Sequence, residues 1–106
     1  MNTAKINLTD TMLKKSIIDA NKSVCEFAKT YLFDYNEAES GERAVVAASY
    51  PDGTDARVTF YRAKTRGDKR ISITKLKKFA EAGDTITLLD DESGIKILVN
   101  VTVDEI

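Results

Sequence analysis

The sequence predicts an α+β domain: an N-terminal amphipathic helix packed on a five-stranded, mostly antiparallel sheet or partly open barrel, with a second short helix. Three observations predict it. Apolar residues recur at steps of three and four between residue 10 and about residue 32, the spacing of one helix face. From Ala44 the apolar period changes to two, the alternation of strands. Clusters of Pro, Gly, Asp and Ser then divide the rest of the chain into short segments, as turns between strands do.

The elements follow in the order α-β-β-β-α-β-β. Leu13, Ile17, Val24, Ala28 and Tyr31 share one side of the first helix, with Ile18, Cys25 and Leu32 adjoining. Thr9 or Asp10 suits its N-cap, because a side-chain oxygen there accepts from free backbone N–H groups. Lys15, Asp19, Lys22, Glu26 and Lys29 alternate in sign on the opposite side, the pattern of a solvated face with weak ion pairs. An acidic connector carries Asp34, Glu37, Glu39 and Glu42. Ala44 to Tyr50 and Ala56 to Ala63 read as paired strands joined by the turn Pro51-Asp52-Gly53-Thr54. Lys64 to Asp68 is a loop and Lys69 to Thr74 a third strand. Thr74 is positioned to cap the second helix, Lys75 to Ala82, which Gly83 stops. The strands Thr85 to Leu89 and Ile95 to Val103 flank the polar turn Asp90 to Gly94. No repeat, low-complexity tract or linker interrupts the series, so residues 1–106 form a single domain.

Composition excludes several classes of function. With 42% apolar and 31% charged residues the chain resembles an ordinary soluble globular protein. No apolar run approaches the roughly 20 residues of a membrane span, and residues 1–8 lack the pattern of a signal peptide. A cytoplasmic location is the expectation, and the lone Cys25 agrees with a reducing compartment. In that setting the sequons at Asn7, Asn21 and Asn100 are chance matches. Histidine is absent, which removes the commonest general base and zinc ligand. No glycine-rich phosphate loop, nucleophile elbow or metal-binding nuclease spacing is present. Asp90-Asp91-Glu92 lacks a second ligand cluster and reads as a solvated hairpin tip. The expectation is a non-enzymatic protein with no metal and no cofactor. Cys25, on the apolar stripe, reads as an inert thiol.

Charge is the most informative feature. Nine of the sixteen basic residues fall between Arg57 and Lys78 with Asp68 as the only acid, a local net charge of +8. The rest of the chain holds seven bases and sixteen acids, a net of −9. A cationic island on an anionic body points to a polyanion or an acidic partner. If Val58, Phe60, Ile71 and Ile73 face the core, strand parity sends Arg57, Thr59, Tyr61, Arg70, Ser72 and Thr74 outward. Arginines fork onto phosphates, hydroxyls add neutral hydrogen bonds, and an exposed tyrosine stacks on a base. Arg62 has the wrong parity and belongs at a strand end. Lys75, Lys77 and Lys78 fall at the start of the second helix, where cations oppose the macrodipole and an anion would be welcome. Gly67, within Arg66-Gly67-Asp68, is a loop glycine that could let backbone approach a phosphate. The bland alternative is a solvated face balanced by acids, with Asp34 to Glu42 folded over it.

Phe60-Tyr61-Arg62, then Gly67-Asp68-Lys69-Arg70-Ile71-Ser72-Ile73, then Leu76, Ala80 and Gly83-Asp84, resemble segments of the non-catalytic DNA-sensing modules fused to some restriction endonucleases. The resemblance covers about a quarter of the chain. It implies duplex recognition by a small α/β module, with Arg62 and Arg70 among the contacts. This chain carries no attached nuclease domain, so the resemblance implies a freestanding DNA-binding accessory or a phage-type anti-defence protein.

The resulting expectation is a nucleic-acid-binding domain, for DNA rather than RNA. Its contacts are Arg57, Tyr61, Arg62, Lys64, Arg66, Lys69, Arg70, Lys75, Lys77 and Lys78. The alternative is a phage-type inhibitor or interaction protein whose acidic surfaces, Asp34 to Glu42 and Asp90 to Glu92, imitate nucleic-acid phosphates to bind a protein partner. No membrane partner is expected.

Overall fold

The computed structural model describes residues 2–101. Seven strands form one mixed sheet, curled into a half-barrel, in the order β1-β6-β7-β3-β4-β5-β2. They are β1 (Thr3–Asn7), β2 (Ile18–Asp19), β3 (Arg43–Ser49), β4 (Asp55–Arg62), β5 (Lys69–Ile73), β6 (Thr85–Asp91) and β7 (Gly94–Val99). Three short helices accompany them: α1 (Asp10–Lys15), α2 (Lys22–Ala28), which runs on into a 3-10 turn at Lys29–Tyr31, and α3 (Leu76–Phe79). The α+β class and the mostly antiparallel pairing agree with the sequence. Only β3 and β7 run parallel.

The first expected helix, from residue 10 to about 32, is replaced by two helices with a strand between them. Ser16 turns left-handed (φ 54, ψ 35) and ends α1. The β-branched pair Ile17-Ile18 then extends, and Ile18 and Asp19 pair with Ile71 and Arg70 of β5. Asn21 restarts the helix by accepting from the Val24 N–H at 2.9 Å, as Thr9 does for α1 at 3.2 Å. The helical face inferred from spacing therefore does not exist as one surface. Val24 and Ala28 are buried, but Leu32, left-handed at φ 62, is 95% exposed.

Five expected strands become seven, because β1 and β2 were not foreseen. β1 turns Ala4 and Ile6 inward, with Leu8 just beyond its end, each almost fully buried, and pairs with β6 from Thr3↔Leu89 to Asn7↔Thr85. The expected strand Ile95 to Val103 ends at Val99; residues 102 and 103 lie outside the described residues. The second helix is four residues, not the expected eight, and Thr74 does not cap it. Lys75 occupies the cap position at φ 62 with no side-chain capping bond, while the Thr74 hydroxyl accepts from the Arg57 N–H at 2.9 Å.

The concave side of the sheet holds the core. Val58, Phe60, Ile71, Ile86, Leu88, Ile95 and Ile97 point into it from four strands, against Val24 and Phe27 of α2. Phe27, Tyr31 and Phe60 form an aromatic cluster with ring centroids 5.7 to 6.3 Å apart. Tyr50 stacks on Phe79 at 3.8 Å and gives its hydroxyl to the Thr74 carbonyl at 2.6 Å. That contact pins α3 over the β3–β4 turn.

Residues 20 to 23 bridge the two edges of the half-barrel. The Ala20 N–H bonds the Lys69 carbonyl of β5 at 2.9 Å. One residue later Asn21 Nδ2 bonds the Lys5 carbonyl of β1 at 2.8 Å, and the Ser23 hydroxyl accepts from the Lys5 N–H at 3.1 Å. These contacts cover edge groups that would otherwise invite another strand.

Candidate nucleic-acid interface

The outer face of β3, β4 and β5 follows from register. Val58, Phe60, Ile71 and Ile73 are buried, so the alternating residues between them face solvent. Cross-strand pairing aligns them in rows: Arg43, Tyr61 and Arg70; Val45, Thr59 and Ser72; Ala47 and Arg57, with Thr74 beside them. Arg57, Tyr61 and Arg70 thus share one surface with hydroxyl groups, as parity requires. An open depression of about 580 Å³ lies on this face, lined in part by Arg43, Thr59, Tyr61, Arg62, Lys64 and Ser72.

The island does not act as one unit, because its cations differ in what they already touch. Arg62 is a fold residue. Its guanidinium bonds the Tyr35 carbonyl through Nε at 2.7 Å and through Nη2, and the Gly67 carbonyl through Nη1 at 2.7 Å. It sits at the end of β4 as its parity requires, pinning two loops. Gly67 is buried at φ +69; an added Cβ would lie 2.9 Å from Ser40 Oγ. With its carbonyl taken by Arg62, that glycine serves loop packing instead of close approach to a phosphate.

Arg70 is half-neutralised. Its Nη2 lies 3.0 Å from Asp68 and its Nε 4.0 Å from Asp19, too far for a hydrogen bond, so the buried Nε has no acceptor among the described residues. Arg66 stands 3.9 Å from Asp68 and is otherwise exposed. Lys69 donates to Asn36 Oδ1 at 3.0 Å, and Lys75 to the Asp55 carbonyl at 2.7 Å. Among the described residues, Arg57, Lys64, Lys77 and Lys78 make no ion pair or side-chain hydrogen bond. Arg43 is equally free and exposed, and it lies outside the 57–78 window. Its signal was the parity of β3: with Ala44, Val46 and Ala48 inward, Arg43 must face out beside Tyr61.

The acidic connector does not cover this face. Among the described residues no carboxylate of Asp34, Glu37, Glu39 or Glu42 pairs with a base of the island. The connector meets the island through other groups: Arg62 takes the Tyr35 carbonyl, the Gly41 N–H bonds the Arg62 carbonyl at 3.0 Å, the Tyr35 hydroxyl donates to the Arg70 carbonyl at 2.6 Å, and Asn36 accepts from Lys69. At the other acidic cluster Asp90 accepts from the Tyr31 hydroxyl at 2.6 Å, and Asp91 lies 3.6 Å from Lys96. Burial, reinforced by that bond to Asp90, pushes the Tyr31 hydroxyl pKa well above its ordinary value.

The chain matches no protein-family model, no curated protein and no solved structure.

Lys75, Lys77 and Lys78 gather at the short α3, where the helix dipole does not call for an anion. One turn of helix sums few peptide dipoles. Lys77 and Lys78 fall in its last turn, where cations complement the carbonyls, and Lys75 stands before it. An anion is therefore not required to explain them as helix-start cations. Cys25 is partly buried, lies 3.7 Å from the Ala20 carbonyl, and has its thiol pKa raised mainly by burial, the mark of an unreactive sulfur. Among the described residues, no helix is long and apolar enough to cross a membrane, and no three Cys, Asp or Glu side chains converge as metal ligands.

Proposed function

We propose that this chain is a non-enzymatic nucleic-acid-binding domain, for DNA rather than RNA, working in the cytoplasm through the outer face of β3, β4 and β5. The observation that carries this reading is the cross-strand row Arg43, Tyr61 and Arg70, flanked by the free cations Arg57 and Lys64. Phosphates would be met by Arg43, Arg57 and Lys64, with Thr59 and Ser72 adding hydroxyl contacts. Tyr61 supplies an aromatic surface for a base or sugar. Arg62 supports the site by fixing its loops. The anionic remainder of the chain confines contact to this face, because a −9 body is repelled by the same polyanion.

Anisotropy of a labelled duplex at ~50 mM salt, where release of counterions favours binding most, tests the reading. Affinity is expected to fall with salt at a log–log slope of about −0.9 per phosphate contacted. Replacing Arg43, Arg57 and Lys64 by Glu is expected to abolish it. Absence of binding by the native protein at low salt removes the proposal.

A second reading rests on Glu37, Glu39 and Glu42, three exposed carboxylates without a cation among the described residues. A phage-type inhibitor could present them to a protein in place of phosphates. Retention of a co-purifying partner after all three become Gln would exclude it.

A further inference from the structure

On the side away from β4, β5 is covered only in part. In the β4–β5 ladder the Thr74 N–H reaches the Arg57 carbonyl at 3.1 Å, and the Ala63 N–H reaches the Asp68 carbonyl at 2.9 Å. With Thr59↔Ser72 and Tyr61↔Arg70 in the same phase, Lys69, Ile71 and Ile73 turn their main-chain groups to the opposite edge. There Ala20 takes the Lys69 carbonyl and Ile18 stands opposite Ile71. Ser16, the position in register with Ile73, is the left-handed residue that turns the chain into α1. The Ile73 N–H and C=O therefore face an opening in the edge with no partner among the described residues.

They open toward a cleft of about 280 Å³ between α1 and α3. Its floor is apolar, built from Met12, Leu13, Ile18 and Leu76, and Lys75, Lys77 and Lys78 stand around it with no acid in the lining. We propose that this cleft binds an extended peptide segment of a partner protein, an apolar residue flanked by Asp or Glu, which adds to β5 at Ile73. A donor and an acceptor on one strand residue match the main chain of another strand. The apolar floor takes one side chain, and the neighbouring residues reach the lysines with their carboxylates. An oligonucleotide satisfies the lysines but leaves the floor empty, and a fatty carboxylate leaves the Ile73 carbonyl unpaired. The site is separate from the outer face proposed for nucleic acid, although Ser72 borders both.

The probe is a fluorescein-labelled peptide, Glu-Asp-Val-Asp-Leu-Glu, titrated with the full chain and followed by anisotropy. Saturable binding is expected. Replacing its acids by Asn and Gln, or Lys77 and Lys78 by Glu, should weaken it by about tenfold or more. Methylating the amide nitrogen of its central residues should weaken it similarly, because a strand contact needs that N–H. R57E should leave peptide affinity unchanged while reducing nucleic-acid affinity, which separates this site from the outer face. No binding, indifference to N-methylation, or equal displacement by decanoate or by an oligonucleotide overturns the proposal. Unchanged melting temperatures of the exposed-lysine variants ensure that a loss is read at the site.

Discussion

Single arginines in this protein look alike in sequence and differ entirely in role. Among the described residues the Arg57 side chain makes no hydrogen bond or ion pair, whereas Arg62 satisfies two backbone carbonyls of separate loops. Removing a charged donor from buried acceptors costs about 1.5–3 kcal/mol for each bond lost. Arg62→Met is therefore expected to destabilise the fold by roughly 2–4 kcal/mol, seen as a lower denaturant midpoint. Arg57→Ala should change stability by less than about 0.5 kcal/mol and act instead on the salt-dependent binding of a duplex. If Arg62→Met kept full stability, its bonds to Tyr35 and Gly67 would not be what holds those loops. The parity that places Arg57, Tyr61 and Arg70 was legible because Val58, Phe60, Ile71 and Ile73 alternate cleanly. The work done by Arg62 was not, since its acceptors are main-chain carbonyls that no side-chain pattern announces.

Elements were legible where one period dominated and illegible where two competed. β3, β4 and β5 lie within a residue or two of their expected limits, since alternation and the Pro51–Thr54 turn agree. Residues 10 to 32 carry apolar spacing that suits a helix, yet the pairing of Ile18 with Ile71 and two good caps, Thr9 and Asn21, favour two helices and a strand. β1 was in principle visible as Ala4, Ile6 and Leu8, but three alternating positions are too few to outweigh their polar neighbours. The parallel contact between β3 and β7 was invisible, because it depends on one glycine whose partner is distant in sequence. At Gly94 (φ +135) a Cβ would stand 2.5 Å from the Ala47 carbonyl oxygen. Gly94→Ala is expected to cost about 2–4 kcal/mol through that overlap and its backbone strain. Thermal melting checks it, and a neutral result would mean that β3 and β7 are not so closely apposed.

At the scale of the whole molecule, the half-barrel holds because residues 20 to 23 fasten β5 on one side and β1 on the other. Asn21 is both the cap of α2 and a donor to Lys5. The pair Asn21→Ala with Ser23→Ala is expected to lower stability by about 2–3 kcal/mol. Because the loss uncovers Lys5 at the edge of β1, it should also favour strand-to-strand association. Size-exclusion chromatography at rising concentration should show dimers of the variant; a stable monomer would mean that the clasp does not protect that edge.

The strand order has a consequence for how the chain comes to be folded as it is made. β1 comes before the other strands, yet its one strand neighbour among the described residues, β6, begins only at Thr85. The β6–β7 hairpin then fills the place between β1 and β3, so the two halves of the sheet share no strand until it arrives. A nascent chain emerging at about 5–20 residues per second keeps β1 waiting for several seconds with Ala4, Ile6 and Leu8 in water. The polar residues Thr3, Lys5 and Asn7, which alternate with them, make that segment less prone to strand-to-strand association than an unbroken apolar run would be.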